Sequence, residues 1–276
     1  MSVTKEYVQY LKMIRKYNIY DNANEENFEF KYYENLENDK IRMLDSKLDK
    51  NLFENELLHI EAILGWLLKN ITHYGYNDIE VSYNIIDIFK SHMENGIGAS
   101  CMMLAFCLRD ILEAYGYHAR VIQGCPFNPE ILDSHWLVLW YSSDLRKWVM
   151  LDPTWGAYCK KDGVLLSAQE IRDMLARGIE FDMCIQAKIS KEYYHFLLCR
   201  YLFQFNSFCY NGFNMFEHKN QYRINLAPIG FDAEKYFKKR YELEEQNIRL
   251  WMKKYVIKYN KNTIYTNDCN RFWKNY

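Results

Sequence analysis

Residues 98–124 read GASCMMLAFCLRDILEAYGYHARVIQG, and residues 135–154 read HWLVLWYSSDLRKWVMLDPT. The hydrophobic period changes within the first stretch, and that change decides the fold class. From Cys101 to Tyr115 the apolar positions Cys101, Leu104, Ala105, Leu108, Ile111, Leu112 and Tyr115 trace one face at helical spacing. Ser100 stands where an N-cap belongs and Gly116 where a helix ends. Past Gly116 the short runs Tyr117–Gly124, His135–Tyr141 and Trp148–Asp152 are rich in aromatic, β-branched and aliphatic residues and read as strands. A helix leading into strands joined by short connections predicts an α+β fold.

Outward from this centre the signals are helical. Val3, Tyr7, Leu11, Ile14 and Tyr17 recur at helical spacing, as do Phe53, Leu57, Ile60, Leu64, Leu67 and Ile71. A further helix is predicted around Asn84 to His92, and the Asn/Glu-rich stretch from Asn22 to Asp39 reads as a surface connection. Beyond Asp152 the chain is expected to turn helical again. Ser167 and Glu170 have the spacing of a capping box, and Tyr193–Phe205 is apolar nearly all round, as in a buried helix. Phe237, Tyr241, Ile248, Trp251, Met252, Tyr255 and Tyr259 predict a long amphipathic helix. With only 4 prolines and 11 glycines, no Pro/Gly/Ser-rich linker divides the chain, so residues 1–276 read as one domain.

Charge excludes some functions. Against 36 acidic residues stand 35 basic ones, so the basic field that a nucleic-acid binder needs is missing. The N-terminus lacks the basic start and apolar stretch of a secretory signal, and the longest apolar runs are too short to span a bilayer. A cytoplasmic location, with no membrane partner, is the expectation. The 8 cysteines include no Cys-x-x-Cys pair, so no metal site is expected, and seven of them read as small buried hydrophobes.

Cys101 is the exception. It starts its helix directly after the glycine-containing loop Asn95–Ser100. Free amides and the positive end of the helix dipole at such a position favour a thiolate over a thiol and can hold an oxyanion. The plainer alternative is a buried cysteine opening an amphipathic helix. His135 and Asp152 weigh against it. A hairpin turn centred between Ser143 and Asp144 sets His135 directly opposite Asp152, where a carboxylate would fix the imidazole tautomer. An ordinary cross-strand ion pair explains those two residues alone, but not the cysteine.

Together, Gly98-Ala-Ser-Cys101, Tyr115-Gly-Tyr-His-Ala-Arg-Val121, His135-Trp and Lys147-Trp-Val-Met-Leu-Asp-Pro-Thr154 resemble the core of the transglutaminase-like superfamily, over about residues 95–156. Downstream, Gly163-Val-Leu-Leu-Ser167 on to Leu175, Lys191-Glu-Tyr-Tyr194 and Leu226-Ala-Pro-Ile-Gly230 look like stand-alone bacterial members. The resemblance implies a papain-like core, with the nucleophile helix packed on an antiparallel sheet and extra helices at both ends. It implies Cys101 as nucleophile, His135 as general base and then acid, and Asp152 as the residue orienting His135. The backbone N–H of Cys101 would be one oxyanion donor. For a second, Asn95 is similar to a papain-type side-chain amide, though it also suits a helix-ending turn before Gly96. An upstream aromatic, Trp66 or Tyr83, would serve as in transglutaminases proper. Trp136 joins them as a candidate for the substrate pocket.

Three activities fit these residues. In the first, an amine takes an acyl group from Cys101, the donor being a thioester or amide; some superfamily members use a carrier-protein thioester in natural-product biosynthesis. In the second, water resolves the same intermediate, as in a peptidase or amidase. The third is a non-catalytic scaffold, against which the intact Cys/His/Asp set argues. No cofactor is implied, and calcium independence is expected because no dense acidic loop is present. The partners are an acyl donor and an amine acceptor.

Overall fold

The computed structural model describes residues 5–20, 28–33, 37–74, 82–215, 218–247 and 263–274. In chain order the first elements are α1 (Lys5–Lys16), β1 (Lys31–Tyr32), α2 (Asn38–Arg42), α3 (Glu56–Asn70), α4 (Ile85–Asn95) and α5 (Cys101–Ala114). Next come β2 (Ala119–Cys125), β3 (His135–Ser142), β4 (Lys147–Asp152), β5 (Ala157–Lys161), β6 (Val164–Leu165), α6 (Ala168–Arg177) and β7 (Asp182–Ile185). The remaining elements are α7 (Lys191–Tyr201), β8 (Gln204–Phe208), β9 (Tyr210–Asn211), β10 (Arg223–Leu226), α8 (Ala233–Asn247), β11 (Thr263–Thr266) and α9 (Cys269–Phe272). The fold is α+β.

Nine strands form one sheet in the order β11-β10-β8-β2-β3-β4-β5-β6, with β7 also paired to β5. Its pairings are antiparallel except β10 with β11. Both faces are covered, which explains why β3 is apolar almost throughout instead of alternating. Val121, Trp136, Val138, Trp140, Val149 and Leu151 pack on one face with residues of α3, α4 and α5. Ile122, Leu137, Leu139, Trp148 and Met150 pack on the other with residues of α1, α6 and α7. Each fully buried aliphatic side chain in such a layer is worth about 1.5–3 kcal/mol. No helix among the described residues is long and apolar enough to cross a membrane.

Local signals hold at several element starts. Ser100 caps α5, its Oγ accepting the Met103 N–H at 3.3 Å. Ser167 and Glu170 make a complete capping box on α6. Gly116 takes the left-handed conformation, φ 81°, just after α5.

Other expectations need correction. The chain beyond Asp152 is not simply helical, because β5 to β8 and β10 to β11 extend the sheet there. The apolar stretch Tyr193–Phe205 splits: α7 stops at Tyr201, and Gln204 and Phe205 belong to β8. A run that is apolar all round has no period to tell a buried helix from a buried strand. Within the expected surface connection, Phe28 is buried, β1 forms, and α2 begins at Asn38. Ile248, Trp251, Met252, Tyr255 and Tyr259, the far part of the expected terminal helix, lie outside the described residues.

The β3–β4 register also differs. Ser142 pairs with Lys147 and Val138 with Leu151, so the turn is centred one residue later than expected. Arg146 adopts φ 52° and the Ser142 Oγ accepts the Leu145 N–H, which closes a longer connection over residues 143–146. Carried one step on, this register puts Asp152 opposite Leu137, two residues from His135. Parity is unchanged, so both side chains still emerge on one face.

Candidate active site

Cys101 is the first residue of α5 and is half-buried. The loop before it is tied to the chain following α3. The Ala99 N–H donates to the Thr72 carbonyl, and the Tyr74 N–H donates to the Ala99 carbonyl, both at 2.8 Å. Gly98 permits this lacing, since a Cβ there would stand 2.9 Å from the Thr72 oxygen. The thiol of Cys101 points at the carbonyl oxygen of Ser134, 3.8 Å away, one residue before His135. As first residue of the helix, Cys101 has an N–H with no intrahelical acceptor.

His135 Nε2 lies 2.8 Å from Asp152 Oδ2. The other carboxylate oxygen accepts the Thr154 N–H at 3.0 Å, across Pro153, so the turn after β4 locks the carboxylate. With Nε2 engaged, Nδ1 is the nitrogen left for the sulfur. Burial alone would pull the His135 pKa down, but the Asp152 carboxylate and then the Cys101 sulfur outweigh it and raise it to about 10. A protonated imidazole is the partner that a thiolate nucleophile uses. The three residues named from the sequence are therefore neighbours.

Aromatic rings surround them. Tyr201 stacks on His135, with centroids 5.5 Å apart. His73 stands edge-on to Trp155 at 5.9 Å, and its pKa is lowered by burial and by the charge of His135. Tyr194 is buried near Asp152, and burial followed by that carboxylate drives its phenol pKa up.

The secondary candidates fall elsewhere. Asn95 is the exposed last residue of α4, followed by Gly96 at φ 66°, which is the helix-ending geometry. Trp66 is in the core, its indole N–H donating to Asp45 at 3.1 Å, and Tyr83 packs on Phe106. Trp136 is 5% exposed and stacks on Phe208. All three aromatics fill the core on the α5 side of the sheet. Five of the other cysteines are buried as expected, whereas Cys184 and Cys269 are partly accessible. A cavity of about 920 Å³, lined by residues including Leu11, Phe181, Tyr193, His195 and Phe196, contains none of Cys101, His135 and Asp152.

Sequence reading missed Tyr201, His73, Asp133 and Gln123 at the site. Gln123 alone left a trace, as one of two polar residues, with Arg120, in the apolar strand β2. Its side-chain amide donates to the Ser134 Oγ at 2.7 Å and fixes the residue before His135.

No family model matches the chain, and no curated protein matches it. Among solved structures, a protein from Cytophaga hutchinsonii described as a "Putative Cysteine Protease" is similar at 16% identity and a TM-score of 0.34. The match covers 69% of this chain and 59% of that one. Likeness at that level carries no chemistry across to this chain.

Proposed function

We propose that this chain is a thiol enzyme with a transglutaminase-like, papain-like core that forms amides by acyl transfer through Cys101. The observation that carries the reading is His135 held between the Asp152 carboxylate and a cysteine at a helix start. Residues 1–276 are read as one unit, because the sheet draws its strands from residues 119 to 266.

The Cys101 sulfur attacks the carbonyl carbon of a thioester or amide donor, and the oxyanion is received by the Cys101 N–H. His135, protonated, gives its Nδ1 proton to the leaving thiol or amine as the carbon–heteroatom bond breaks, which leaves an acyl thioester on Cys101. An amine then attacks that thioester while His135 takes its proton. Collapse releases the amide and restores the sulfur–imidazolium pair. Asp152 holds Nε2–H throughout and stabilises the imidazolium.

Hydrolysis by the same intermediate needs water in place of the amine. The rings of Tyr201 over His135 and of His73 near it favour a site with restricted water, and so favour transfer. The test is to load Cys101 from simple acyl thioesters and follow loss of the adduct by mass spectrometry. Faster discharge by added amines than by water supports transfer; rapid discharge independent of amine contradicts it in favour of a hydrolase.

A further inference from the structure

The end of α7 comes down beside the imidazole. The Tyr201 ring lies over His135 at an interplanar angle of 30°. Its hydroxyl donates to Asp133 Oδ2 at 2.7 Å, and the Arg200 guanidinium contacts both oxygens of that carboxylate at 2.8 and 2.9 Å. The backbone of the same segment is held from another side. Arg240 of α8, only 2% exposed, donates to the carbonyls of Ile131, Leu132 and Asp133. A third observation comes from β2. Gly124 pairs with His135 in the β2–β3 ladder, and a Cβ at Gly124 would stand 2.7 Å from the Tyr201 carbonyl oxygen. The bare Cα lets the last turn of α7 settle against the strand at the level of the imidazole.

We infer that Tyr201, anchored through Asp133, is a positioning residue that holds the His135 ring in line between Asp152 and Cys101 and steadies its charged form. The inference rests on the acyl-transfer reading of Cys101 and His135. An aromatic face attracts a cation through its quadrupole, and more strongly where water is excluded. A phenol that donates its proton to a carboxylate presents a more electron-rich face. The titratable and charged groups about His135 are Cys101 from α5, Asp152 from β4, His73 from the segment after α3, Tyr201 from α7 with Asp133 and Arg200 behind it, and Tyr194 beyond Asp152. Asp152 and Cys101 engage the edge of the imidazole through its two nitrogens; Tyr201 covers its face.

The test is the pH dependence of Cys101 alkylation by iodoacetamide in the full chain, comparing wild type, Tyr201→Phe, Tyr201→Leu and Gly124→Ala. Wild type should show two steps, the second as His135 deprotonates. Tyr201→Leu should move that second step down by about one pH unit, a roughly tenfold loss of proton affinity. Tyr201→Phe, which keeps the ring, should shift it by less than half as much. Gly124→Ala, which lifts the end of α7, should shift it in the same direction as Tyr201→Leu. Profiles of Tyr201→Leu superimposed on wild type, or of Gly124→Ala should the leucine variant fail to fold, overturn the positioning role and leave the acyl-transfer reading intact. A wild-type profile with one step near about 8.5, that of an ordinary thiol, overturns both.

Discussion

His135 and Asp152 meet diagonally across the β3–β4 hairpin, with Nε2 and Oδ2 2.8 Å apart, and are not directly opposed. A diagonal contact on one face is within reach of side chains of this length. It leaves Asp152 free to take the Thr154 N–H on its other oxygen, so the carboxylate is fixed by its own turn before it orients the imidazole.

That arrangement makes Asp152→Asn informative. The amide keeps the shape but can present its NH2 to Nε2 and reverse the tautomer. Turnover should fall by about 10⁴-fold with the fold retained. Steady-state kinetics beside circular dichroism would check this, and a loss under tenfold would remove Asp152 from its role.

Stability should depend on pH through His135. Its folded pKa, about 10, stands above the unfolded value near 6.5. Below about 6.5 both states carry the proton and its stabilising contribution is complete; between the two values only the folded state keeps it, so stability falls as pH rises and the contribution is gone above about 10. Urea midpoints of wild type and His135→Gln across pH 6–10 should converge as pH rises. Parallel curves would show that the imidazole does not hold its proton in the folded chain.

Cys101→Ala should abolish turnover and Cys101→Ser should leave very little, both with melting temperatures close to wild type, because the side chain is half-buried and small. Near-normal rates in either variant would remove the nucleophile assignment.

Ser100→Ala removes the cap bond to the Met103 N–H and should cost about 1 kcal/mol of stability. Thermal unfolding would measure it. Because the cap also sets the helix start that carries Cys101, alkylation of that thiol should slow in the same variant.

Arg240 is buried against three consecutive carbonyls, and its guanidinium also meets Glu244 at 2.8 Å. Arg240→Met should leave those acceptors unsatisfied, at about 1–3 kcal/mol for each buried group that water does not reach. Hydrogen exchange should then rise at residues 131–134 more than in β2. Unchanged protection there would mean that Arg200, Tyr201 and Gln123 hold the segment without it.

Much of this site was legible because its signals are local. Ser100 announces a helix start, Gly116 its end, and the change of period at Tyr117 marks the sheet. The parity of His135 and Asp152 survives an error in the turn centre, since moving the turn by one residue displaces the pairing by two and keeps the face. What stayed hidden depends on distant chain segments. Tyr201 sits in a run with no usable period, and its contact with His135 arises because β8 inserts beside β2, a pairing between residues far apart in sequence. Asn95 illustrates the reverse case: its spacing from Cys101 was suggestive, but the left-handed Gly96 makes it an exposed helix end. Trp66, Tyr83 and Trp136 have the composition of a pocket wall, yet both faces of the sheet are covered and the three rings fill that interior.

The most direct measurement is peptide-mapped mass spectrometry of the chain after brief exposure to an acyl thioester, in wild type and His135→Ala. The expected result is one acyl group on the peptide containing Cys101 in wild type, and little or none in the variant. Acylation spread over other cysteines, or equal loading of Cys101 with and without the imidazole, would contradict it.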